Sequence, residues 1–214
     1  MKNQILAAAI LALALPTASQ AAVDLTVNFG ASTLIPNTND FQTSLASLGL
    51  TRYVASGASL FLNGPATIMF EFLGSESGFN DTFSTSSGLS LTENASYSNY
   101  FAAPILIGAQ SFSAGSLGGL LNFTSSGGAA ATIGQNGFGI FLGPNQASGN
   151  NVTTFYFGYD DEVTNQDDDY DDFIVRATVL SAIPEPSTWM MMFGGFALLG
   201  LSARRRKTSI LSFS

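Results

Sequence analysis

Phe173-Ile174-Val175-Arg176-Ala177-Thr178-Val179-Leu180 is the stretch that decides the fold. Phe173, Val175, Ala177 and Val179 recur at every second position, with Ile174, Arg176, Thr178 and Leu180 between them. A period of two belongs to an extended strand, which sends successive side chains to opposite faces. Working upstream, Ile68, Phe70 and Phe72 alternate with Thr67, Met69 and Glu71 in the same way, and Val23, Leu25, Val27 and Phe29 alternate with Asp24, Thr26 and Asn28. Further strands are predicted at Ser59–Leu62 and at 89–92, 105–107, 139–142 and 153–159. Turn residues punctuate the intervals: Asn63-Gly64-Pro65, Gly118-Gly119, Ser126-Gly127-Gly128, Gly143-Pro144-Asn145 and Ser148-Gly149-Asn150. One modest helix is predicted at 41–48, and no fixed-period repeat is present. Many short strands joined by such turns predict an all-β fold, a single β-sandwich of jelly-roll or immunoglobulin-like type.

Both ends of the chain read as addresses. Lys2 precedes an uninterrupted apolar run from position 5 to 15, which Pro16 ends, and Ser19 and Ala21 are small residues at −3 and −1 of a cleavage site. This predicts a secretory signal peptide over 1–21. Removal of both ends leaves residues 22–183 as one domain of ordinary size. That stretch keeps two basic residues, Arg52 and Arg176, against fourteen acidic ones, so it carries a net charge near −12 where the whole chain has −8. Such a surface repels nucleic acid and anionic lipid and suits cations or neutral sugar polymers. The chain has no cysteine and no histidine. Disulfides, thiolate metal sites, Ser-His-Asp and Cys-His nucleophile systems and imidazole acid–base chemistry are thereby excluded.

At the other end, residues 187–203 are uncharged and rich in Met, Phe and Leu. Seventeen residues at ~1.5 Å each reach roughly 25 Å, just the thickness a membrane helix must cross. Trp189 stands where an interfacial aromatic belongs, and Arg204, Arg205, Arg206 and Lys207 follow at once. The positive-inside rule keeps that cluster cytoplasmic and places the domain outside. Ahead of the helix, Pro184 and Pro186 flank Glu185, and two prolines so placed hold the backbone extended. The three parts in this order resemble the PEP-CTERM sorting signal. The resemblance implies export in a Gram-negative bacterium that makes exopolysaccharide, with processing by an exosortase. On it, Pro184, Glu185 and Pro186 are the recognition motif, 187–203 is a transient membrane anchor, and Arg204, Arg205, Arg206 and Lys207 are the stop-transfer cluster. Residues 208–214 run on as a short tail past the point where such signals usually end.

Between two predicted strands, residues 160–172 hold eight acids: Asp160, Asp161, Glu162, Asp167, Asp168, Asp169, Asp171 and Asp172. Like charges about 4 Å apart cost ~1 kcal/mol per pair even in water, so the loop must splay into solvent or collect a cation. Calcium takes six to eight oxygens, and Asp160, Asp161, Asp167, Asp168, Asp169, Asp171 and Asp172 are the candidate ligands. The start Asp167-x-Asp169-x-Asp171 resembles a calcium loop, although the glycine and the bidentate glutamate of an EF-hand are absent. The segment Phe70-Glu71-Phe72-Leu73-Gly74-Ser75-Glu76-Ser77-Gly78-Phe79-Asn80, taken with Asp168-Asp169-Tyr170-Asp171-Asp172-Phe173-Ile174-Val175, is similar to a pattern of exported PEP-CTERM domains. That similarity bears on architecture and says little about activity.

The expected function is a non-catalytic binding or structural module of the cell surface or extracellular matrix, associated with exopolysaccharide and stabilised by calcium. Two other classes compete with it. One is a glycosidase using paired carboxylates, for which Glu71 and Glu76 are the candidates. Such sites need two acids about 5–10 Å apart. The other is a subunit that packs with its own copies through open strand edges.

Overall fold

Ten consecutive residues, Ala66–Ser75, form the longest strand, because Ala66, Ile68, Phe70 and Phe72 all present to one buried face while Thr67, Met69 and Glu71 are half-buried on the other. The structure, a computed structural model, describes residues 23–26, 32–144, 151–161, 168–180 and 186–205. In chain order the described strands are β1 (Val23–Thr26), β2 (Thr33–Leu34), β3 (Arg52–Val54), β4 (Ser59–Leu62), β5 (Ala66–Ser75), β6 (Asp81–Thr85), β7 (Ser90–Thr92), β8 (Ser98–Asn99), β9 (Ile105–Phe112), β10 (Gly115–Ser116), β11 (Leu121–Ser125), β12 (Ala131–Thr132), β13 (Phe138–Leu142), β14 (Asn151–Val152), β15 (Thr154–Tyr159) and β16 (Phe173–Leu180). Two helices accompany them, α1 (Gln42–Ser47) and α2 (Pro186–Arg205). The expectation of an all-β fold is borne out.

All listed strand pairs are antiparallel. The largest sheet runs β2-β3-β13-β15-β16-β5-β8, with β9 also paired to β5. Two four-stranded sheets, β10-β4-β1-β14 and β12-β11-β6-β7, complete the set. The stretch 173–180 is therefore central: β16 lies between β15 and β5, with Val175 opposite Phe72, Ala177 opposite Phe70 and Val179 opposite Ile68. A strand with neighbours on both sides and apolar residues on both faces explains why the alternation is blurred by Ile174.

One face of the large sheet meets the two smaller ones in the main core, to which β4, β5, β6, β11, β13, β15 and β16 all contribute. The core is aromatic. Phe123 of β11 sits within 4.9–5.8 Å, centroid to centroid, of Phe83, Phe138, Tyr159 and Phe173. Phe70 packs on Phe83, and Phe72 on Phe173. On the opposite face of the large sheet, α1 and the segments beside it form a second cluster, in which Phe41 and Leu45 meet Leu73, Phe141, Tyr170 and Ile174. Neighbouring residues such as Phe72 and Leu73 thus feed different cores, as the pleat requires.

Several sequence expectations need adjustment. The strand predicted at 105–107 extends to Phe112, because Gly108 and the polar residues after it still pair with β5. Strands β6 and β11 were not predicted. β6 holds Phe83 alone among Asp, Thr and Ser, and β11 holds only Leu121 and Phe123 beside Asn, Thr and Ser, runs too short and polar to read as strands until those residues are known to be core. The continuation of β1 toward Phe29 and the signal peptide lie outside the described residues.

The sheets and α1 belong to one unit, residues 21–183, and α2 to another. Helix α2 starts at Pro186, a residue suited to the first helical turn because its missing N–H has no partner there. Met191, Phe193, Phe196, Leu198 and Leu199 are exposed along it. Among the described residues no helix is long and apolar enough to cross a membrane. The segment expected as an anchor is helical over Pro186–Arg205.

Truncation of the ring at the centre of the main core should be costly. Phe123→Ala is expected to lower unfolding free energy by about 3–5 kcal/mol, measured by urea denaturation of the full chain. Phe61→Ala, at a side chain 50% exposed on β4, should change it by less than about 0.5 kcal/mol.

Candidate functional site

Among the described residues, most of the acidic segment after β15 is turned inward. Gly139 of β13 and Gly158 of β15 are directly opposite each other in the sheet, and the absence of side chains at both opens a slot on its face. Residues 168–172 lie down in that slot. A Cβ on Gly158 would stand 2.3 Å from the Tyr170 carbonyl oxygen, and one on Gly139 would stand 2.7 Å from the Tyr170 ring. Tyr170 is buried there against Tyr53, at a centroid distance of 4.6 Å. Asp168 and Tyr170 take left-handed backbone conformations, φ 42° and 62°, to make the crossing.

This course carries carboxylates into the protein. Asp160, Asp161, Asp169 and Asp171 are buried, Asp172 is half-buried and Asp168 is exposed. Asp167 and Glu162 lie outside the described residues. The described members of the predicted ligand set divide into groups. Asp171 turns toward α1, where one of its oxygens accepts from the Asp40 N–H at 2.6 Å, while Asn39 Nδ2 donates to the Asp169 carbonyl at 2.7 Å. Asp161 and Asp172 turn toward the start of β6. There their carboxylate oxygens and one from Asp81 all lie within 4.8 Å of one another. A neighbouring grouping, Glu76, Asp171 and Asp172, has the same spread.

Asp81 is the residue that sequence reasoning missed. It opens β6 at zero exposure, and neither of its carboxylate oxygens has a hydrogen-bond partner. The only available sequence signal was an acid heading a strand directly after the Glu76-Ser77-Gly78-Phe79-Asn80 turn. The backbone holds the cluster firmly. The Asp161 N–H donates to Asp172 Oδ2 at 2.7 Å, and Ser77 Oγ donates to Asp161 Oδ2 at 2.9 Å. The Glu76 N–H donates to the Asp171 carbonyl, and the Ala129 N–H to the Asp161 carbonyl. The two segments singled out by their similarity to exported PEP-CTERM domains, 70–80 and 168–175, are thus adjacent in space.

Burial is the leading cause of the abnormal acidity here. It pushes Asp172 up to about 9, with Asp161, Asp81 and Asp160 adding repulsion and the Asp161 N–H opposing it. Asp171 is raised by the same burial and then by Asp169 beside it. Asp81 is raised by burial, which nearby Ser77 and Ser125 ease only in part. The phenol of Tyr159 is pushed up by burial and then by the charges of Asp81, Asp161, Asp172 and Asp160; its hydroxyl donates to the Ala129 carbonyl and not to an acid.

The glutamates considered for hydrolysis are placed differently. Glu71 forms a 2.7 Å ion pair with Arg176 on the adjoining strand. Glu76 lies just past the end of β5 and is exposed. The remaining basic residue of the domain, Arg52, bonds Ser32 through Nε and Nη2.

The chain is therefore a β-sheet domain with a buried acidic cluster, followed by a separate helical C-terminal segment. Residues 182–207 match the PEP-CTERM protein-sorting motif. The match includes Pro184, Glu185 and Pro186, all of α2 and the basic residues Arg204, Arg205, Arg206 and Lys207, and it implies export by way of an exosortase. No curated protein and no solved structure matches the chain.

Two expectations follow. Gly158→Ala has no room for its methyl group against Tyr170 and should cost at least about 1–3 kcal/mol, as overpacking does, read by chemical denaturation. In chelator, melting temperature should fall as pH rises. The folded chain holds a proton on Asp172 until about 9, while the unfolded chain releases it near 3.8. That stabilisation is full below the unfolded value and lost through the folded one. Melting curves at pH 5, 7 and 9 check the sign.

Proposed function

We propose that this protein is an exported, non-catalytic module of the cell surface or extracellular matrix of a Gram-negative bacterium, delivered by an exosortase. The observation that carries this reading is the match of residues 182–207 to the PEP-CTERM protein-sorting motif. In this reading residues 1–21 are a signal peptide removed on export. Helix α2 is a transient inner-membrane anchor, with exposed apolar side chains that suit lipid better than water. Arg204, Arg205, Arg206 and Lys207 stop transfer on the cytoplasmic side. Pro184-Glu185-Pro186 is the motif that the enzyme reads before the anchor is removed.

The domain is a β-sandwich whose work is done by its surface. Its charge near −12 leaves neutral or cation-bridged polysaccharide as the matrix partner it suits best, and disfavours nucleic acid. Two features support a non-catalytic role. The chain has no histidine or cysteine, and Glu71 is engaged by Arg176. A buried carboxylate cluster held by backbone hydrogen bonds suits a structural part better than one that must turn over substrate.

The test is replacement of Pro184, Glu185 and Pro186 by alanine in the native host, followed by fractionation and mass determination. The variant is expected to accumulate in the membrane fraction at unprocessed mass while the parent chain appears at the surface or in the medium. Unchanged mass and location would defeat the sorting assignment.

A further inference from the structure

We infer that Asp81, Asp161 and Asp172 form a binding site for one hard divalent cation, calcium, which ties the start of β6 to the connection between β15 and β16. This rests on the folded domain alone and stands or falls independently of how the chain is sorted.

Three observations carry it. First, the three carboxylates converge from separate parts of the chain, with their oxygens within 4.8 Å of one another. Oxygens bound to one calcium at about 2.3–2.6 Å lie no farther apart than roughly twice that distance, a bound that the three carboxylates meet. Second, Asp81 is fully buried and both its carboxylate oxygens lack any hydrogen-bond partner. A buried carboxylate left so costs several kcal/mol in order of magnitude unless a charge satisfies it. Third, the domain has no cation of its own to offer. Its two arginines are held elsewhere, Arg176 by Glu71 and Arg52 by Ser32.

The donor set selects the ion. With no histidine or cysteine in the chain, the ligands are carboxylate oxygens, which suit calcium, magnesium or manganese and disfavour zinc and copper. Three carboxylates fixed by β6 and by the segments flanking β15 and β16 give an irregular shell, which calcium accepts and magnesium, needing a near-regular octahedron, does not. Asp172, half-buried where Asp81 and Asp161 are buried, is the member of the set that reaches solvent. The site also differs from a linear Asp-x-Asp-x-Asp loop. Asp168 is exposed, Asp171 is turned toward Asp40, and Asp81 comes from 80 residues upstream of Asp161.

The consequence is structural. Strand β6 belongs to a small sheet and β15 and β16 to the large one, so the ion is a staple between layers whose strength follows the calcium around the protein.

The experiment uses the full chain in detergent, stripped with chelator, dialysed and titrated with calcium chloride by calorimetry, with melting curves in parallel. One ion should bind per chain, with a dissociation constant at or below about 10⁻³ M, the weak end for extracellular calcium modules. Melting temperature should rise with calcium and much less with equal magnesium. Asp81→Asn and, as a second and more exposed position, Asp172→Asn should each weaken binding at least tenfold, while Asp168→Asn leaves it unchanged. In chelator, Asp81→Asn should melt above the parent chain, since it removes an unpaired buried charge. Absence of both heat and thermal shift in the parent chain overturns the proposal, whatever the variants do. So does parental affinity in Asp81→Asn and Asp172→Asn, or loss of binding in Asp168→Asn alone, which would place the ion in the loop.

Discussion

The close approach of residues 168–172 to the large sheet is the constraint on which the rest of the structure depends. It is possible only because Gly139 and Gly158 face each other across β13 and β15. Any side chain at Gly158 would occupy the space of the Tyr170 carbonyl. With Tyr170 seated, Asp168 stays exposed while the aspartates on either side of the ring, Asp169 and Asp171, are buried. Asp169 and Asp171 are set down toward α1, and Asp172 toward β6. The glycine pair thus converts an acidic connection into a buried acidic one, and the electrostatics of the domain follow from that step.

The same geometry explains how two cores coexist on one sheet. The inward residues of β5 and β16 meet the aromatic cluster around Phe123, while their alternates, Leu73 and Ile174, join Phe41, Leu45 and Tyr170 behind the sheet. Tyr170 belongs to this second core, so the segment that brings the carboxylates in is also what covers the sheet's far face. Packing and charge are therefore coupled: loosening Tyr170 would release both an apolar cover and the placement of Asp171 and Asp172. Aromatic burial supplies the driving force, since hydrophobic transfer is the favourable term large enough to offset the desolvation of several acids.

The two parts of the chain obey different solvents. Among the described residues the domain hides most of its phenylalanines and keeps its two arginines in an ion pair or hydrogen bonds. Helix α2 shows Met191, Met192, Phe193, Phe196, Leu198 and Leu199 outward and ends in arginine. A sorting motif that overlaps α2 and not the sheets is consistent with a segment whose purpose is transit, carrying a domain whose purpose begins after it.

Much of this was legible in the residues themselves. Local periodicity set the strand character of 59–62, 66–75, 154–159 and 173–180, because alternation depends only on neighbours along the chain. The C-terminal signal was legible for a similar reason, since an extended proline motif, an apolar run and a basic cluster act as linear features. Strands β6 and β11 were not legible, because one or two apolar residues among polar ones acquire meaning only when another sheet covers them. The acidic cluster was half legible: Asp161 and Asp172 stood out by charge density, whereas Asp81 lay 80 residues away and looked ordinary. The sequence by itself determined that this is an acidic, all-β, histidine-free and cysteine-free domain with a sorting tail. Only the tertiary structure decided which carboxylates meet, because convergence depends on the cross-strand glycine pair and on sheet pairing, and neither is encoded in any one stretch of the chain.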